Sequence, residues 1–243
     1  MEAHRAHAGV QEQGCVALAN LFTNANNRVS IPKAGGITAI VSGVEAQSEH
    51  AGIQEKKGCV TLTNLAINNV ENKVLIAKAG DITAIVSGMK AHRDHAGVQE
   101  QGCFVLQNLA PGSSDNKMSI AKEGGIVAIM SGTEAHRDHA GVQKQGCCTL
   151  YNLSFDPKVA FAVKVIGGVQ VLKAASKNEY AADALLNIEK SSSRNKGDDL
   201  PKDTTKNEYL AGGLLSIRKD IQKASRRRDY LPKDTTKKGR KGW

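Results

Sequence analysis

Aromatic residues make up only 4% of the 243-residue chain, which excludes an interior of stacked rings and leaves an aliphatic, closely packed core. Five prolines in the whole length leave long stretches free to form helix. No run approaches the roughly 18 apolar residues of a membrane span, and Met1-Glu2-Ala3-His4 opens no secretory signal. The second position is not the glycine that N-myristoylation needs, so that modification is not expected. No Gly-Lys-Ser/Thr follows a glycine-rich loop, no nucleophile elbow is present, and no unrepeated acid and base pair stands out as an active site does. The chain reads as a soluble, intracellular, non-enzymatic protein without a cofactor, cytoplasmic or nuclear.

The hydrophobic fraction of 40% is sufficient for a substantial core. The net charge of +9 is concentrated at one end: residues 191–243 hold 15 Lys+Arg against 7 Asp+Glu, whereas residues 1–190 hold 18 against 17. A neutral body with a basic tail is expected. Arg226, Arg227, Arg228, Lys237, Lys238, Arg240 and Lys241 are candidates for contact with nucleic acid, anionic lipid or an import receptor, the alternative being a solvated, disordered end.

What is present in abundance is repetition. Cys15, Cys59, Cys103 and Cys147 follow one another at 44-residue intervals, and Gly9-Val10-Gln11-Glu12-Gln13-Gly14-Cys15 recurs as Gly97 to Cys103 and, with Lys144 for Glu, as Gly141 to Cys147. A period in the forties points to stacked helical units. Each unit reads as three helices. The first is short, as at 73–79, with Asn72 placed as its N-cap, and it ends on glycine at Gly35, Gly80, Gly124 and Gly167, a residue that adopts positive φ without a Cβ clash. The second carries an apolar stripe at i, i+3, i+4 and i+7: Ile37, Ile40, Val41 and Val44, then Ile82, Ile85, Val86 and Met89. The third is the longest, with Val98, Gly102 and Leu106 facing the core; glycine inside it costs about 1 kcal/mol relative to alanine, and close backbone approach by a neighbouring helix is the expected compensation, the alternative being tolerance of drift in a repeat array.

One such unit cannot cover its own apolar face, so stability is expected from stacking. Repeats are placed at 24–67, 68–111, 112–155 and a shortened 156–190, after a half repeat at 1–23, with a basic tail at 191–243. The first long helix is left uncapped, which suggests self-association through that end or a fragment of a larger signalling protein. The tail is itself duplicated: Asn178-Glu179-Tyr180 returns as Asn207-Glu208-Tyr209, and Leu200-Pro201-Lys202-Asp203 returns as Leu231-Pro232-Lys233-Asp234, with one candidate capping helix at 207–225.

The phrase from Asn72 to Val86, closed by Gln99-Glu100-Gln101-Gly102-Cys103-Phe104-Val105-Leu106-Gln107-Asn108-Leu109-Ala110, resembles an armadillo repeat, of the subtype in the armadillo region of leucine-rich-repeat kinases and vacuolar-protein-eight-like adaptors. No kinase motif accompanies it. The resemblance covers residues 1–190 and implies an all-α, right-handed superhelical solenoid of about four and a half repeats. It further implies a scaffold that binds an extended peptide or a helix of a partner protein in a concave groove lined by the third helices. The asparagines that grip a peptide backbone in that family correspond to Asn20, Asn64, Asn108, Asn152 and Asn187; a carboxamide has donors and an acceptor for both groups of a peptide unit. Helical spacing extends the groove to Gln13 and Val16, Lys57 and Val60, Gln101 and Phe104, Gln145 and Cys148, and Tyr180 and Asp183. Nuclear-import armadillo proteins often carry tryptophan four positions before the asparagine. Here Val16, Val60, Phe104, Cys148 and Asp183 stand there, so aromatic slots for lysine-rich signals are not expected. The alternative for the asparagines is a structural one, capping or bridging neighbouring helices.

Cysteines on stacked helices stand about 8 to 10 Å apart, farther than a disulfide spans, and read as small buried apolar residues, with Cys148 the thiol to examine for reactivity. The pairs His4/His7, His92/His95 and His136/His139 lie in polar connections without further ligands at zinc spacing and read as solvated loop residues, not a metal site.

Overall fold

The computed structural model describes residues 2–4, 7–22, 24, 26–46, 59–67, 69–175 and 177–194, all within the first of two units, Met1–Lys202. Among them every regular element is helical. A single 3-10 turn, Glu2–His4, precedes thirteen α-helices: α1 (Ala8–Leu21), α2 (Asn27–Lys33), α3 (Gly36–Ala46), α4 (Cys59–Ala66), α5 (Val70–Lys78), α6 (Asp81–Ala91), α7 (Ala96–Leu109), α8 (Ser114–Lys122), α9 (Gly125–Ala135), α10 (Ala140–Ser154), α11 (Pro157–Val165), α12 (Gly168–Ala174) and α13 (Glu179–Arg194).

Helices of the same kind pack on one another. The long helices follow in the order α1, α4, α7, α10, α13, each against the next; α3, α6, α9 and α12 do the same, as do α5, α8 and α11. Side-chain hydrogen bonds cross the same steps: Thr61 and Thr149 donate through Oγ1 to the carbonyls of Cys15 and Cys103, at 3.0 and 2.9 Å. The repeated sequence therefore makes the same contact at the α1–α4 and α7–α10 steps, while Val105 stands at the matching position of α7.

The stripe of α6 is buried throughout, with Ile82, Ile85, Val86 and Met89 at most 2% exposed, and Ile37 and Ile40 of α3 are buried as well. The side chains of Val41 and Val44 lie outside the description. On α7, Val98, Gly102 and Leu106 are buried as their spacing predicts. Burying one such aliphatic side chain contributes about 1.5 to 3 kcal/mol.

The turns between first and second helices are made by Gly35, Gly80, Gly124 and Gly167 at φ between 82° and 95°, left-handed backbone that only glycine adopts without strain. The start of the first helix corrects the reading of Asn72. The helix begins three residues earlier, at Val70, and its cap is Asn69, whose extended backbone lets Oδ1 accept from Asn72 N–H at 2.9 Å. Ser113 caps α8 and Asp156 caps α11 in the same way. Asn72 turns inward instead.

Gly102 and Gly146 inside the long helices are explained by contact with a side chain of the neighbouring helix, not by the expected approach of its backbone. A Cβ on Gly102 meets Met89 Cγ at 2.6 Å, and one on Gly146 runs into Thr133 Oγ1. Thr133 is held, since it donates to the Ile129 carbonyl at 2.8 Å, whereas Met89 is flexible. Gly146→Ala is expected to lose about 1 kcal/mol, overpacking outweighing the gain in helix propensity. In a Thr133→Ala background the same change is expected to stabilise, which urea midpoints of the four variants measure.

Candidate functional site

Among the described residues, every groove residue that the sequence nominates lies on a long helix. On α7 the buried arc runs through Val98, Gly102, Val105 and Leu109, which leaves Gln101, Phe104 and Asn108 together on the opposite, half-buried face. On α1, Gln13 and Asn20 are exposed and Val16 is half-buried; on α4, Asn64 is half-buried. On α10, Gln145 and Asn152 are half-buried; on α13, Asp183 is exposed while Tyr180 and Asn187 are half-buried. The side chain of Val60, Lys57, the basic residues Arg226 to Arg228 and Lys237 to Lys241, and the 207–225 segment lie outside the described residues.

Three of the five asparagines each spend one Nδ2 donor inside the protein. Asn108 Nδ2 donates to the Phe104 carbonyl one turn back on its own helix at 2.8 Å. Asn152 Nδ2 reaches across to the Gln107 carbonyl of α7 at 3.2 Å, and Asn187 Nδ2 donates to Ser154 Oγ of α10 at 3.1 Å. The last two bridge successive long helices, as the structural alternative for the asparagines describes. Each of these carboxamides keeps a second Nδ2 proton and its Oδ1 acceptor beyond that bond.

Cys148 departs from expectation. It is 7% exposed, and burial pushes its thiol above the ordinary range, with Lys144 opposing and Glu179 reinforcing the shift. Such a thiol is mostly protonated at neutral pH and a weak nucleophile. Cys15 and Cys147 are pushed up to about 11 by burial, and Cys103 higher still by burial with Cys147 and Glu100 adding. Cys15, Cys103, Cys147 and Cys148 are all free thiols, packed as small apolar residues. The Cys59 side chain lies outside the description.

Sequence reasoning missed an aromatic cluster beside Asn152 and Asn187. Tyr151 meets Phe155 edge-to-face at 4.9 Å between centroids and Tyr180 at 6.1 Å, and Phe155 is 56% exposed. The signal was available in the i, i+4 spacing of Tyr151 and Phe155.

The histidines are corrected too. His7, His95 and His139 are N-caps of α1, α7 and α10, each accepting through Nδ1 from the backbone N–H three residues on. The carbonyls of His4, His92 and His136 accept from Gln11, Gln99 and Gln143 Nε2 at 2.9 to 3.0 Å. Gln99 and Gln143 reach the Met89 and Thr133 carbonyls as well, pinning the end of each second helix to the third. The signal lay in the repeat, where histidine stands directly before each Ala-Gly-Val. Among the described residues no group of three or more His, Cys, Asp or Glu is placed to hold a metal ion, and no helix is long and apolar enough to cross a membrane. No family model matches the chain, and no curated protein matches its sequence.

Proposed function

We propose that residues 1–190 form an armadillo-type solenoid, and that the chain is a non-enzymatic scaffold holding an extended peptide or a helix of a partner protein along its third helices. One observation carries the reading: α1, α4, α7, α10 and α13 pack in sequence order, like on like. Such a column sets Gln13, Gln101 and Gln145, and Asn20, Asn64, Asn108 and Asn152, at repeating positions along one surface. A row of amides pairs with the backbone of a ligand whatever its side chains. The aromatic cluster of Tyr151, Phe155 and Tyr180 adds apolar contact at the α10–α13 end.

The test is a displayed peptide library selected on the full chain, followed by affinities for wild type and Asn64→Ala/Asn108→Ala. Asn108 bonds only within its own helix, so circular dichroism is expected to be unchanged. Affinity is expected to fall at least about tenfold, the loss of two backbone-directed amides. Equal affinities, or selected peptides that bind elsewhere, contradict the reading.

A further inference from the structure

Three long helices of this protein start on a histidine that serves as a hydrogen-bond acceptor. His7, His95 and His139 hold extended backbone, and their Nδ1 atoms face Val10, Val98 and Val142 N–H at 3.3, 3.4 and 3.3 Å. An imidazole nitrogen accepts only when it carries no proton, so each cap needs the neutral ring with its proton on Nε2. Protonation turns the acceptor into a donor and sets a cation at the positive end of the helix dipole. Both effects act against the helix, and histidine is the side chain whose charge changes between about pH 5 and 8. The first helices α5, α8 and α11, by contrast, are capped by Asn69, Ser113 and Asp156, none of them an imidazole.

The surroundings give the displaced imidazole somewhere to go. His139 Nδ1 stands 3.9 Å from Glu100 Oε2 of α7, and the Glu100 carboxylate lies against Gly141 in the first turn of α10. A protonated His139 therefore exchanges Val142 N–H for a carboxylate already in place. Arg137 and Asp138 share its loop, Lys144 is exposed on the second turn of α10, and Glu134 is exposed on α9. Around His95 stand His92, Arg93 and Asp94 of its own loop and His136 of the next, while α4 carries no charged residue. His7 has His4 before it and Glu12 on α1; the side chain of Glu45 on α3 lies outside the description.

His136 pushes in the same direction. Its Nε2 is 2.9 Å from the Arg93 carbonyl, and burial first, then His139 and His95, hold its pKa below the ordinary value, Asp94 opposing. A histidine that resists protonation in the folded state binds fewer protons there than in the unfolded chain, so its contribution is present at high pH and lost as pH falls below the ordinary histidine range.

We propose that His7, His95 and His139 act together as acid-releasable caps, so that acidification frees the N-termini of α1, α7 and α10 and loosens the packing of the long helices. The inference concerns the free protein and stands apart from the reading of partner binding. Its test is amide protection and imidazole nitrogen chemical shifts in the full chain at about pH 7.5 and about pH 5. The comparison is with His7→Asn/His95→Asn/His139→Asn, in which asparagine keeps an acceptor that does not titrate. At the higher pH all three rings are expected as the Nε2-protonated tautomer. On acidification, protection at Val10, Val98 and Val142 is expected to fall about fivefold in wild type, the loss of one N-cap each, and to stay level in the triple variant. His136 keeps its burial in both proteins but loses its His139 and His95 neighbours in the variant, so the comparison is read from the site-resolved protection at Val10, Val98 and Val142 and not from overall stability. An Nδ1-protonated ring at His95 or His139, or an equal fall in the triple variant, overturns the proposal. If the variant does not fold, the wild-type tautomers decide.

Discussion

Replacing Asn72 and Asn116 together by alanine is expected to lower the unfolding free energy by about 4 kcal/mol, roughly 2 at each site. Both carboxamides are 3% exposed, and each uses both Nδ2 protons. Asn72 donates to the Arg28 carbonyl at 2.9 Å and the Leu65 carbonyl at 3.1 Å; Asn116 donates to Lys73 at 3.3 Å and Leu109 at 3.0 Å. Leu65 and Leu109 lie at the ends of α4 and α7, where carbonyls have no intrahelical partner. Arg28 is orphaned for another reason: the residue four positions on is Pro32, inside α2, which has no N–H to offer. Asn72 supplies the missing donor from the next 44-residue step. Denaturant unfolding of the single and double variants measures the loss, and Pro32→Ala is expected to reduce the cost of Asn72→Ala by returning an N–H to Arg28. A combined loss under about 1 kcal/mol contradicts the assignment of these bonds as bridges.

Leu106→Ala is expected to cost about 3 kcal/mol, within the range for a leucine fully enclosed in a core. Leu106 is 0% exposed on α7, a helix packed against α4 before it, α10 after it and α6 beside it. A cavity there is lined from three directions and collapses poorly. Leu75 on α5 is the control: it is 42% exposed, and Leu75→Ala is expected to cost under about 1 kcal/mol. Similar losses at the two positions contradict the burial pattern.

Most of the architecture was legible because the repeat makes the same statement several times. The four evenly spaced cysteines gave the step, the stripe from Ile82 to Met89 gave a buried helix face, and the glycine at the end of each first helix gave the turn. Where two residues of one type compete, pattern alone does not choose. Asn69 and Asn72 are both able to cap, and only the extended backbone at Asn69, φ −134° and ψ 99°, decides. The capping histidines escaped notice because histidine is not among the usual N-cap residues, so position within the repeat was the sole clue. Cys148 was assigned to an open face by its spacing, but α13 packs on α10 and helps to close it over. For the described residues nominated as a groove, placement on the long helices followed from spacing; the bond that Asn108, Asn152 and Asn187 each make within the protein through Nδ2 did not.

The central claim is that successive copies of one helical unit stack in sequence order. Spin labels at residues 13, 101 and 145, in a background with the five cysteines replaced by alanine, test it through pairwise distances. Stacked helices step by about 10 Å, so the 101–145, 13–101 and 13–145 pairs are predicted near about 10, 20 and 30 Å, rising with each step. A 13–145 distance no longer than the 101–145 distance would contradict the account.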